Sequence, residues 1–230
     1  MTNFWRKFKI AFTDKKLRNK LLFVMFILVL FRFLSAIPIP GVDTTALTQF
    51  LANNQFFGIL NIFSGGGLST LSIIMLGVGP FITASIIMQL LTIMVPRLKA
   101  LYSEEGEIGR RKFTQYSRLL TVPLAVIQGL SLLVVLERQG IIEQLDMFAR
   151  VTNLSVVVAG SLLLMWLGEL VSEYGIGNGV SVLIFAGIVA NVPREISQAL
   201  FTYDKSQLPV YLLFGVVALF VIAAVVYLTE

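Results

Sequence analysis

The chain has 230 residues, of which 57% belong to the set Ala, Val, Ile, Leu, Met, Phe, Trp, Tyr and Cys, and 13% are charged. Soluble domains are roughly one quarter charged, so a water-soluble fold would leave far more apolar surface exposed than a monomer tolerates. With a mean hydropathy of +0.86 this composition specifies an integral membrane protein. Neither Cys nor His is present, which excludes thiol nucleophiles, Ser–His triads and Cys/His metal sites.

Residues 1–20 form a basic, amphipathic segment suited to lying along a membrane surface. A bilayer needs about 20 apolar residues of helix, and six segments are candidates, near 21–37, 71–95, 119–137, 154–171, 179–193 and 208–228. The fifth is short and Gly-bearing, and so is expected to begin inside the headgroup layer or to be partly sheltered by protein. Continuous apolar runs such as LLFVMFILVLF argue for helices over barrel strands. The first span could be confused with a cleavable signal peptide. No small-x-small site follows Leu34, however, and Pro38-Ile39-Pro40-Gly41 is a helix terminator and turn.

Charge sets the orientation. Arg6, Lys7, Lys9, Lys15, Lys16, Arg18 and Lys20 precede the first span, and Arg97, Lys99, Arg110, Arg111, Lys112 and Arg118 occupy the loop 96–118. The opposite side holds Arg138, Arg150, Arg194 and Lys205. The positive-inside rule places the N-terminus and the 96–118 loop in the cytoplasm, with 194–207 an external hinge loop. The net charge of +5 is then topological before it is functional.

Three stretches carry more than hydropathy. Residues 56–70, FFGILNIFSGGGLST, are apolar but too short to cross, so they are either re-entrant or a flexible external loop, with Gly65-Gly66-Gly67 as a hinge. The stretch MLGVGPFITASIIMQL places Gly77, Gly79 and Pro80 in the second span, where Pro80 is expected to bend the helix. In GELVSEYGIGNG the neighbouring charges are Glu169 and Glu173, so a tight interhelical turn is a better account than a phosphate loop. Arg32 is the one ionisable group deep in a span, and the lack of a charged midplane relay argues against a coupled transporter.

Four motifs, FRFLSAIPIPGV, LGVGPFITASIIMQLL, EEGEIGRRKFTQYSR and MWLGELVSEYGIGNGVSVLIFAGIVANVP, occur in an order and spacing that closely resemble the SecY family of protein-conducting channels. The resemblance implies an all-α polytopic bundle. About six transmembrane helices would form half of a ten-span inverted-repeat channel, with a short re-entrant plug helix. It implies that 21–193 is the five-span first half and 208–230 the sixth span, so that the chain is part of a longer protein or a natural half. A self-associating half-channel scaffold without conductance and an inverted-repeat transporter are the competing expectations.

The resemblance also implies roles for single residues. Val78, Ile82, Val180 and Ile184 would contribute to an apolar pore ring, which blocks ions by dewetting. Phe57, Ile59, Leu60, Ile62, Phe63, Gly65, Gly66 and Gly67 would belong to the plug. Thr83, Gln89 and Gln128 would edge a lateral gate, and Arg110, Arg111 and Lys112 would face a cytoplasmic partner. Implied partners are SecE- and SecG-type small subunits, the motor ATPase SecA or a ribosome, signal peptides and nascent chains, membrane lipids, and the other half of the pore or a second copy. No cofactor, metal or catalytic residue is expected. Ser161, Leu170 and Tyr174 stand where the family usually carries Thr, Gln and Arg.

Overall fold

A computed structural model of the chain describes residues 14–39, 47, 49–51, 54, 57–58, 61, 64–201 and 208–229. Seven helices are named here: α1 (Lys15–Ser35), α2 (Gly79–Met94), α3 (Pro96–Ser103), α4 (Gly106–Arg138), α5 (Met147–Tyr174), α6 (Gly179–Phe201) and α7 (Leu208–Thr229). Local chemistry accounts for where they start and stop. Asp14 caps α1 by accepting from Lys16 N, and Asp146 caps α5 by accepting from Ala149 N. Helix α4 ends in a Schellman turn: Gly140, at φ 69°, donates to Glu137 O while Ile141 N donates to Leu136 O. Leu136 and Ile141 close the motif by burying together in one apolar cluster.

The helices differ from the expected spans at their ends. Helix α4 starts at Gly106, so the 96–118 region is a pair of helices with a short turn between them. At 33 residues α4 is about 50 Å long and outruns a hydrocarbon core of about 30 Å. Its first three turns are polar and continue beyond the apolar part. Helix α6 runs through Pro193 to Phe201, eight residues past the expected end of the fifth span. An internal proline removes one hydrogen bond but need not stop the chain when the following residues are helix-competent. Residues 202–207 lie outside the described set.

The second span shows the largest departure. Helix forms from Gly79, whereas 64–78 is a chain of turns. Pro80 therefore sits in the first turn of α2, where its missing N–H costs nothing, and bends no helix. Pro96 does the same for α3, which leaves α2 at an angle of 113°.

By length and composition α4 and α5 are each long and apolar enough to cross a membrane, and the bent pair α2–α3 makes a third such unit. Helix α1 carries Lys15, Lys16, Arg18 and Lys20 within its first turns, which shortens its apolar run. Helices α6 and α7 contain the shorter apolar stretches Gly179–Pro193 and Leu213–Leu228.

Two compact units divide the chain between Asn191 and Val192. In the first, α4 packs against α2, α3 and α5, and α1 packs against α5. The buried face of α4 is Gly109, Phe113, Ser117, Thr121, Ala125, Gly129, Leu133 and Leu136, spaced by four residues and then three. Its middle is small, as expected where backbones approach closely without a hydrophobic drive between helices. In the second unit, α7 is charge-free and its described side chains, such as Leu213, Phe214 and Phe220, are exposed around the helix. A helix apolar on every side is suited to hydrocarbon or to burial by other helices.

Two ion pairs bracket the α4–α5 hairpin. Arg118 Nε donates to Glu169 Oε1 at 2.6 Å, and Arg150 Nη2 donates to Glu137 Oε2 at 2.8 Å. Nineteen residues separate Arg118 from Glu137, and nineteen separate Arg150 from Glu169. That is about 28 Å of helix, close to the hydrocarbon thickness of about 30 Å. Each pair thus falls where charge can meet water or headgroups, and the apolar stretch lies between.

Candidate functional site

The turn segment 64–78 runs through the interior of the first unit. Leu68, Leu71, Ser72, Ile74, Met75 and Val78 are all buried. Non-helical backbone at that depth requires its polar groups to be met by protein. Turn bonds within the segment meet part of them, such as Ser72 N to Gly67 O and Gly77 N to Ile74 O, and α1 and its exit meet others. Ile39 N donates to Leu71 O at 2.9 Å, and Ile73 N donates to Ile37 O at 3.0 Å, a short antiparallel pairing centred on Pro38 and Ser72. Thr70 Oγ1 donates to the Ser35 carbonyl at 2.8 Å. Leu71 is held at φ 41°, a left-handed conformation that a branched residue keeps only when its surroundings over-determine it.

The glycine run is a packing corner. A Cβ at Gly65 would collide with the Phe31 ring, and one at Gly67 would come within 2.9 Å of Ser72 Oγ and 3.1 Å of the Ile74 carbonyl. Gly65 and Gly66 also have φ of 69° and 84°. The expected hinge is therefore a site of close approach, where side chains are excluded by neighbours as much as by backbone conformation. Asn61 anchors it: its Oδ1 accepts from Ser69 N at 2.7 Å, and its carbonyl accepts from Gly66 N and Ser64 Oγ. Phe57, Gly58 and Asn61 are helical, whereas Ile59, Leu60, Ile62 and Phe63 lie outside the described residues.

The four residues expected to form an apolar ring meet in one cluster. Val78 is buried among Ile27, Phe31, Ile74, Leu164 and Leu183, and Ile82, Val180 and Ile184 pack half-buried against it. Val78 and Ile82 are joined by the bond from Ile82 N to Val78 O, and Val180 and Ile184 are one turn apart on α6. The next residue, Phe185, is 65% exposed. So Ile184 turns toward the cluster and Phe185 away from it. A cluster of this kind offers no hydrogen bond to water or an ion, and it excludes both.

The remaining expected residues stand apart from it. Thr83 is half-buried and donates to the Gly79 carbonyl at 3.0 Å, Gln128 is half-buried, and Gln89 is exposed. Arg110, Arg111 and Lys112 are exposed on the first turns of α4, with Arg111 paired to Glu107 at 2.9 Å. Among the described residues no three Asp or Glu side chains converge as metal ligands.

Some contacts were not legible from the sequence. Ser161, 1% exposed, donates to the Gly77 carbonyl at 3.1 Å across 84 positions. Next to it, a Cβ on Gly160 would strike the Ile73 carbonyl oxygen. Nothing local to 160–161 announces this partner. The two ion pairs did leave a signal, since an acid and a base lie near each end of adjacent spans at equal separations.

The fold and its apolar, charge-poor interior define a multi-pass helical membrane protein. Residues 72–230 match the SecY family model, and the chain belongs to the SecY family. It is 44% identical to the protein translocase subunit SecY of Streptomyces scabiei over 81% of this chain and 46% of that protein. It is 43% identical to that of a Synechocystis species over 93% of this chain and 49% of the relative. The Pseudomonas aeruginosa subunit is 40% identical over 91% and 48% respectively. The chain thus spans about half the length of the curated relatives it matches. The fold is similar to a solved structure described as a protein-conducting channel, with a TM-score of 0.53 over 74% of this chain and 36% of that one, at 24% identity. The same values hold for Sec61 in the canine ribosome-channel complex.

Proposed function

We propose that this chain supplies the first half, and the opening span of the second, of the central subunit of a Sec-type protein-conducting channel in a bacterial plasma membrane. The observation that carries this is the convergence of Val78, Ile82, Val180 and Ile184 on one apolar cluster, in a chain that belongs to the SecY family. Such a constriction resists water and ions yet yields to a sliding polypeptide, because its contacts are non-directional. The channel is passive and carries out no catalytic step. Its drive comes from a partner ATPase of the SecA type or from a translating ribosome, with SecE- and SecG-type subunits alongside.

The exposed cations Arg110, Arg111 and Lys112, raised on the polar turns of α4, are the surface for that cytoplasmic partner. The N-terminus and the 96–118 region face the cytoplasm, by the Lys/Arg asymmetry. Residues 56–70 act as the plug, and Thr83, Gln89 and Gln128 border the exit toward lipid.

The test is translocation of a signal-bearing precursor into proteoliposomes that hold the full-length channel carrying this sequence, with motor ATPase and ATP. Protease-protected precursor is the expected result. A reconstituted, folded channel complex that protects none would overturn the proposal. Orientation is tested separately by single cysteines at Ser103 and Gln144, probed in intact cells with an impermeant thiol reagent. Gln144 is expected to label and Ser103 to stay silent, and the reverse pattern would invert the topology.

A further inference from the structure

The Gly77 carbonyl lies immediately before Val78 and the first turn of α2. Gly77 is buried, has φ 59°, and precedes a helix whose N-cap, Val78, offers no side-chain cap. Its carbonyl is served from a distant element: Ser161, in the middle of α5, donates to it at 3.1 Å. Beside Ser161, Gly160 lets the α5 backbone approach Ile73 more closely than any side chain would allow. One turn further along α5, Leu164 enters the same apolar cluster as Val78. The two adjacent residues thus seat the end of the turn segment: Gly160 admits it and Ser161 fastens it.

We infer that Ser161 is a positioning residue for the apolar ring, holding Val78 and the start of α2 in place through the Gly77 carbonyl. The inference rests on the channel assignment for its functional consequence, but its structural half can be tested without it. The upstream part of the segment has its own attachments, from Ile39 N to Leu71 O and from Ile73 N to Ile37 O. Residues 74–78 are otherwise held by short turn bonds, Met75 N to Ser72 O, Gly77 N to Ile74 O and Gly79 N to Leu76 O. Loss of the Ser161 hydroxyl therefore removes their tether to α5 and loosens them selectively, while 70–73 stay tied to α1 and its exit. Without a donor, the buried carbonyl gains by moving toward water or another partner, and Val78 moves with it. Thr keeps a hydroxyl donor at the same place, whereas Val keeps the shape of Thr and loses the donor.

Because the chain has no cysteine, Val78→Cys is a clean reporter of this position. The measurement is the rate at which a water-soluble thiol reagent alkylates Val78→Cys in membrane vesicles, alone and combined with Ser161→Thr, Ser161→Ala or Ser161→Val. The expected result is alkylation about tenfold faster with Ala or Val and within about twofold of the parent with Thr. Size-exclusion profiles of the same proteins establish that each is folded. Ser161→Ala, which adds no atoms, decides the matter if the Val variant is not monodisperse. Equal rates in all four proteins would overturn the proposal, as would a Thr variant as fast as Val. A second arm, closed-state ion leak through the full-length channel, is expected to rise with Ser161→Ala and not with Ser161→Thr. Faster alkylation with unchanged leak would reduce Ser161 to a tether and refute its role at the ring. A wild-type channel that translocates nothing would instead count against the channel assignment, and leave the alkylation result standing.

Discussion

The α4–α5 hairpin and the turn segment 64–78 are both buried, but they are held by opposite means. The hairpin satisfies its backbone internally, packs through a stripe of small residues, and is pinned at both ends by ion pairs. The turn segment has no helix of its own; its own short turn bonds meet only part of its polar groups, and other elements supply the rest: α1 and its exit at 70–73, and Ser161 at 77. The difference teaches where a helical membrane protein can store motion. A helix pair cannot open locally without breaking its own ladder in hydrocarbon, where an unmet polar group is costly. A turn segment tied by a handful of separate bonds can exchange them one at a time.

Breaking the close approach between the two regions is expected to have the largest effect. Gly160→Leu drives a side chain into the Ile73 carbonyl and should cost about 3 kcal/mol or more, seen as loss of monodisperse protein in mild detergent. Gly79→Ala, where an added Cβ meets nothing within 4 Å, should purify normally. If both behave alike, the seat on α5 is not a close contact.

Next in size is the proposed apolar ring, assayed in the full-length channel of the proposed function. Ile184→Asn puts an amide against the cluster: the half-buried Ile gives up roughly half of the about 1.5–3 kcal/mol of full burial, and an amide short of partners in the closed state adds about 1 kcal/mol. That corresponds to roughly a ten- to hundred-fold shift toward the open population, read as ion leak and as admission of precursors with weak signals. Phe185→Asn, on the exposed side of α6, should leave leak unchanged. The opposite ranking would show that the wrong face of α6 was assigned to the pore.

The ion pairs sharpen the other side of the comparison. Glu137 accepts from Arg150 through both carboxylate oxygens and from Leu145 N, and its side chain is 16% exposed. Glu137→Ala should destabilise by about 1.5–3 kcal/mol, the range for hydrogen bonds to charged groups, lowering the midpoint of thermal unfolding in detergent. Arg111→Ala removes a pair whose side chains are 77% and 81% exposed and should change stability by less than about 0.5 kcal/mol. A matching loss in the two variants would mean that Glu137 does not fasten the hairpin.

The sequence by itself determined the class of molecule, its helical character and the Lys/Arg asymmetry, because these follow from composition and nearest neighbours along the chain. That Val78, Ile82, Val180 and Ile184 share one cluster was suggested only by the family resemblance. Apolar side chains at a spacing of four look alike whether they line a pore or pack a bundle, and Val78 does bury among neighbours from α1 and α5. What only the tertiary structure decided were the contacts across long separations. Hydropathy made 71–95 a single span, but 64–78 is turns: short turn bonds within the segment, with partners from α1, its exit and α5, take the place of a helical ladder. Pro80 looked like a kink within that span and proved to be a first-turn residue. Gly65 to Gly67 looked like freedom and proved to be crowding: a missing side chain permits either, and only the position of Phe31, Ser72 and Ile74 around the glycines distinguishes them.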